Sequence, residues 1–232
     1  MSGDHHFDTA AHCHMSGPLL SFCIPVMDRL PDLQQTLARN LDDNRHNPGR
    51  AEFIGACFDE ESATERWIHE HFAGDIKTGF LRFERATPLP FWHFGRAKNA
   101  FKNVLRGTIY ASLDADNFTG PGAADHIIKV FEVLDYRCVF HQFQGTWGDG
   151  TSGRIAMPRA DYERCGYDER LLPRQWDEMD AMLSVLAGRP DYAYACYRGK
   201  GVVRKSPHFR RFFEDHQRTL RVHEVDPASD PG

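Results

Sequence analysis

Two carboxylates separated by a single residue, Asp114-Ala115-Asp116, close an apolar run from Thr108 to Leu113. Side by side such groups repel, and each is costly to ionise unless a cation or strong donors neutralise it. Oxygen-rich sites of this kind suit Mg²⁺ or Mn²⁺, held by one or two carboxylates together with phosphates and waters. The ion would act as a Lewis acid on a departing diphosphate. The expectation is therefore that a dication and a pyrophosphate complete the pair. A second acidic group, Asp177, Glu178 and Asp180, follows Trp176 at the start of a predicted helix. The macrodipole favours acids there without any function, and a carboxylate so placed can also serve as a general base.

The elements that must carry these residues follow from periodicity. Leu19–Val26 is a nearly continuous apolar run, as in a strand buried on both faces, and Leu30, Leu33, Leu37 and Leu41 recur at helical spacing after it. The alternation repeats: strand over Ala51–Phe58, helix over Ser62–Phe72 with Ser62 and Glu65 as a capping box, strand over Thr78–Phe83, helix over Phe94–Leu105, strand over Thr108–Leu113. Four such units imply a doubly wound, mostly parallel α/β sheet in one domain, whose ligands gather at the carboxyl ends of the strands. Asp28, Asp59, Asp114 and Asp116 each follow a predicted strand and are expected on one edge. Beyond Gly122 the pattern gives helices over Ala123–Leu134, Arg159–Cys165 and Trp176–Ala187, strands over Arg137–Phe143 and Tyr192–Tyr197, and a terminal helix over Pro207–Thr219.

In this order the pieces resemble family-2 and related GT-A glycosyltransferases, over nearly everything from Leu20 to about Gly188. Phe22-Cys-Ile-Pro25-Val-Met-Asp28-Arg29 is similar to the opening strand whose end touches the nucleotide. Ala51–Ser62 is similar to the second strand, whose terminal acid, here Asp59, meets the base or ribose. Gly95-Arg96-Ala-Lys-Asn99 with Gly107 and Leu113–Asn117 matches the helix and the metal-binding turn. Gly153–Glu169, then Trp176-Asp-Glu-Met-Asp180, looks like the acceptor half. The resemblance implies a GT-A domain over 18–222, with a donor half (18–120) and an acceptor half (121–222), between a disordered leader (1–17) and a flexible tail (223–232). It implies metal-dependent, inverting transfer from a nucleotide diphosphate sugar, expected to be UDP-linked, to a hydroxyl of a glycan, lipid-linked or small-molecule acceptor. Asp177 or Glu178 would be the base. Pro25, Asp28, Arg29, Asp59, Arg96, Asn99 and the Asp114-Ala115-Asp116 turn would contact the donor, Trp176 and Trp147 a sugar. Asp114, Asp116 and His208 would hold Mn²⁺ or Mg²⁺.

The alternatives are a nucleotidyltransferase and a catalytically silent GT-A-like binding subunit. A Gly-x-Ser-x-Gly elbow, a Gly-x-Gly-x-x-Gly turn after the first strand, a Walker loop and an HExxH helix are all missing from the sequence. The net charge of −5 gives no electrostatic reason to expect nucleic acid. No apolar run is long enough to span a bilayer, and no signal segment is legible. The six cysteines show no CxxC spacing and suggest a reducing, cytoplasmic setting. Gly145–Gly153 reads as a lid or a plain connection.

Overall fold

Residues 20–26 are buried without interruption, and their side chains divide between two cores. Phe22, Ile24 and Val26 pack with helices on one face of a sheet, whereas Cys23 joins the core on the other. A strand apolar on both faces must be covered on both, which dictates the layered arrangement. The computed structural model describes residues 17–46, 49–61, 63–142, 154–171 and 177–197. In chain order the elements are β1 (Leu20–Val26), α1 (Leu30–Asn44), β2 (Ala51–Cys57), α2 (Ala63–His71), α3 (Ala73–Thr78), β3 (Leu81–Arg85), α4 (Phe94–Asn99), β4 (Ile109–Ser112), α5 (Ala123–Val133), β5 (Cys138–Gln142), β6 (Ile155–Pro158), α6 (Arg159–Cys165), α7 (Asp177–Ala187) and β7 (Ala193–Tyr197).

The seven strands form one sheet in the order β3-β2-β1-β4-β6-β5-β7. Neighbours among β1 to β4 pair in parallel, β6 is antiparallel to both β4 and β5, and β7 is parallel to β5. Leu33, Leu37 and Leu41 of α1, Ile68 of α2 and Ile127, Ile128 and Phe131 of α5 cover one face. Ala97 of α4, Tyr162 of α6 and Ala181, Met182 and Val185 of α7 cover the other. This is the expected single, mostly parallel α/β domain.

Two boundaries differ clearly from the sequence expectation, and one strand was not part of it. The stretch from Thr78 begins as the end of α3, where Gly79 adopts a left-handed φ of 76° and caps the helix, so β3 starts only at Leu81. The helix expected to run to Leu105 stops at Asn99, and its tail tightens into turns through Lys102 N–H to Asn99 O (3.0 Å) and Val104 N–H to Phe101 O (3.2 Å). Strand β6 was not anticipated at all. It is only four residues long and fully buried, too short for a period to register.

Trp147, Trp176, His208 and Ser62, the stretch Gly145–Gly153, the terminal helix over Pro207–Thr219, the leader to residue 16 and the tail 223–232 lie outside the described residues. No helix among the described residues is long and apolar enough to cross a membrane.

Candidate active site

Because β1, β2 and β4 are parallel and in register, the residues that follow them emerge on one edge. Asp28 comes two residues after β1 and takes a left-handed φ of 55°, a region that Asp tolerates better than most side chains. Its backbone N–H donates to Asp59 Oδ1 at 2.6 Å, and Thr64 Oγ1 donates to Asp59 Oδ2 at 2.5 Å. The two carboxylate oxygens of Asp59, which follows β2, thus tie the end of β1 to the first turn of α2. Pro25 lies within β1 itself, paired with Ala56.

The acidic turn follows β4 directly. Asp114 keeps a quarter of its side chain exposed, while Asp116 is 3% exposed. Arg29, itself buried, pairs with Asp116 Oδ2 at 3.2 Å and with Asp32. Lys98 is completely buried, with its ammonium 3.5 Å from Asp114 Oδ1 and 2.7 Å from Glu178 Oε1. Arg154 reaches the same edge because β6 runs antiparallel to β4, which sets its first residues beside the last of β4. Its guanidinium donates to the carbonyl of Phe118. Burial pushes Arg154 down to about 10, against the opposing pull of Asp114 and Asp116.

The fold therefore supplies three buried cations to the acidic turn, which corrects the expectation that only a dication makes the pair tolerable. Burial, with Asp114 and Asp32 adding to it, raises the Asp116 carboxyl above its usual range despite Arg29. Among the described residues no three His, Cys, Asp or Glu side chains gather into a metal cluster. The donor set still fits a hard dication of the kind that completes its shell with phosphates and waters, since two carboxylates stand in one turn and Asp114 keeps a quarter of its side chain exposed.

A polar stripe on α1 holds the turn from behind. Asp32, Thr36, Asn40 and Asn44 recur every four residues and are all buried. Thr36 Oγ1 donates to the carbonyl of Ala115 at 2.6 Å. Asn40 donates to Asn117 O at 2.9 Å and accepts from Thr119 N–H at 2.7 Å. Asn44 donates to Thr119 Oγ1 and accepts from Ala124 N–H, each at 2.8 Å. Backbone groups leaving the sheet are thus satisfied by side chains rather than by another strand.

The Gly166–Glu169 segment and the start of α7, expected on the acceptor side, meet the same edge through α4. Asn99 donates to Tyr167 O at 2.9 Å and accepts from Tyr167 N–H at 2.9 Å, and it also donates to Glu169 Oε1 at 2.8 Å. Only glycine passes this grip at 166, where φ is 62° and a Cβ would fall 2.6 Å from Asn99 Oδ1. Arg96 is half exposed and 3.7 Å from Glu169. Arg96 and Asn99 are thus engaged with the Gly166–Glu169 segment in this structure. Glu178 is partly exposed, whereas Asp177 is buried at 3%.

Sequence reasoning undervalued Lys98 and did not consider Arg154. The signal for Lys98 existed: it lies four residues after Phe94 and three before Phe101, on the apolar side of α4. Nothing local marks Arg154, whose place depends on the unanticipated β6.

Solved glycosyltransferases share this fold. The mannosyltransferase PcManGT from Pyrobaculum calidifontis, in complex with GDP-Man and Mn²⁺, matches with a TM-score of 0.64 at 13% identity, over 90% of this chain and 65% of that one. TarS of S. aureus matches with a TM-score of 0.61 at 11% identity, over 89% of this chain and 65% of that one. Its complex with UDP-GlcNAc matches with a TM-score of 0.56 at 12% identity, over 89% and 66%. The chain thus spans just under two thirds of the length of these structures. No protein-family model matches it, and no curated protein matches its sequence. The likeness establishes a GT-A-like glycosyltransferase fold.

Proposed function

We propose that the chain is a metal-dependent glycosyltransferase that moves a sugar from a nucleotide diphosphate donor to a hydroxyl acceptor. The observation that carries this reading is the pair of ion contacts that Lys98 makes to Asp114 and to Glu178. Acids from the donor half and the acceptor half converge there, at the edge where open α/β sheets bind ligands. The GT-A-like fold supports it, with neighbours in complex with GDP-Man and Mn²⁺ or with UDP-GlcNAc.

Asp114 and Asp116 would hold Mn²⁺ or Mg²⁺, with His208 a third candidate ligand, and the ion would supply Lewis-acid stabilisation of the departing diphosphate. Asp28, Arg29, Asp59 and Pro25 line the nucleoside end, and Arg96 and Asn99 support the donor site from α4. Glu178 is the base in preference to Asp177, because it is the more exposed of the two and an acceptor hydroxyl must come within hydrogen-bond reach. Lys98 takes Oε1, so Oε2 is the oxygen we assign to the acceptor proton. Attack opposite the leaving diphosphate gives inversion. The donor is UDP-linked and the setting cytoplasmic in this reading, with Trp147 and Trp176 as sugar platforms. The domain limits, 18–222 with a division near 120, follow the same proposal.

One observation favours a catalytically silent binding domain instead. The Arg29–Asp116 ion pair occupies a carboxylate that the metal needs. Thermal unfolding with UDP-, GDP- and dTDP-sugars, each with and without Mn²⁺, tests donor binding. A ligand at a hundredfold excess over Kd stabilises by about 2.7 kcal/mol, a Tm rise on the order of 5–10 °C for a chain of this size. A rise that requires Mn²⁺ is expected for at least one donor. Curves that stay superimposed for every nucleotide sugar would overturn the proposal.

A further inference from the structure

The buried ammonium of Lys98 does more than neutralise two acids. We infer that Lys98 is a positioning residue that fixes Glu178 at a set distance from the acidic turn, so that the base and the donor site form one rigid unit. The inference rests on the glycosyltransferase reading above.

Its support is a chain of contacts that leaves the ammonium little freedom. The Lys98 carbonyl accepts from Tyr162 Oη at 2.5 Å, which ties α4 to α6. The Nζ lies 5.5 Å from the Phe94 ring centroid and 5.6 Å from that of Tyr167, within cation–π range of both. Tyr167 is itself fixed by the neighbouring Asn99, which grips its N–H and its carbonyl at 2.9 Å each. From this held position the ammonium reaches Glu178 at 2.7 Å and Asp114 at 3.5 Å. A charge-assisted hydrogen bond in a dry site is strong and directional. Glu178 is the second residue of α7 and 64 positions beyond Asp114, so this contact joins the two acids across the fold.

A counter-ion that only stabilises the protein and a group that aims the base predict different kinetics. The test measures hydrolysis of a nucleotide sugar with Mn²⁺ and water as acceptor, for the parent, Lys98→Met, Lys98→Arg, Glu178→Gln and the double variant Lys98→Met/Glu178→Gln. Lys98→Met is expected to lose about 100-fold, the lower end of a general base's contribution. The loss should fall on kcat, with KM for the donor changed by less than about threefold. The double variant should be no slower than Glu178→Gln alone, because two residues acting as a unit do not add. Lys98→Arg, which keeps the charge and the donors, should recover activity to within about tenfold of the parent.

Losses that multiply in the double variant, or a Lys98→Met defect confined to KM, would overturn the inference while the glycosyltransferase reading stands. A parent protein that hydrolyses no nucleotide sugar would overturn both. Should Lys98→Met not fold, judged by its thermal unfolding, Lys98→Gln takes its place in the same cycle with the same outcomes.

Discussion

Asp116 has two claims on its carboxylate, the buried guanidinium of Arg29 at 3.2 Å and the proposed dication. Asp116→Ala is expected to abolish metal-dependent donor binding in calorimetry; intact binding would remove the residue from the metal site. It should also cost about 2 kcal/mol of stability, since it takes a charged hydrogen-bond partner from a buried arginine. At the proposed base, Glu178→Gln is expected to lose about 100-fold or more in turnover, and Asp177→Asn clearly less. Equal losses, or full turnover in both, would withdraw the preference for Glu178. The sequence made the acids legible because an Asp-x-Asp at a strand end is a local pattern. The cations were not legible in the same way. Lys98 shows only through its spacing from Phe94 and Phe101, and Arg154 is brought to the site by strand pairing with β4.

At the scale of elements, α1 is the part whose second role was hidden. Leu33, Leu37 and Leu41 announced a helix, whereas the adjacent polar stripe of Asp32, Thr36, Asn40 and Asn44 adds nothing to that apolar periodicity. The structure buries that stripe against the segment that follows β4. Asn40→Ala removes two hydrogen bonds to buried backbone and should destabilise the protein by about 2 kcal/mol, readable as a lower denaturation midpoint. Its effect on donor affinity should exceed that of Gln35→Ala on the exposed side of the same helix. A second knot joins α6 to the approach to β7, where Asp161, buried, accepts from Tyr192 at 2.7 Å, Arg189 at 2.9 Å and Arg164 at 3.0 Å. Burial opposes ionisation of this carboxyl, but the three donors outweigh it and hold it below its usual value. Its folded value is the depressed one, so the stability it contributes is full above the unfolded value of about 3.9 and is lost as pH falls through the folded one. Unfolding curves of the parent and Asp161→Asn should therefore differ at neutral pH, and the gap should begin to close only as the pH falls below the unfolded value of about 3.9. A gap that persists unchanged into acid would contradict the ionised, donor-held carboxylate.

At the scale of the molecule, the parallel half of the sheet was readable because four αβ units each repeat an apolar strand and an amphipathic or capped helix. The second half was less so. Its strands are short, one is antiparallel, and the spatial order β4-β6-β5-β7 departs from sequence order. That departure brings Arg154 from the start of β6 to the end of β4, while Lys98 ties α7, which carries Glu178, to the turn after β4. The turn after β4 and the start of α7 thus converge across the fold on one buried ammonium, which Asp114 and Glu178 share. Turnover tests the proposed function most directly. Purified protein, given Mn²⁺ and a panel of UDP-, GDP- and dTDP-sugars, should release the nucleoside diphosphate from at least one of them, and the release should stop on chelation and fall steeply in Glu178→Gln. Release from none of the donors, or release that Glu178→Gln leaves untouched, would contradict the account.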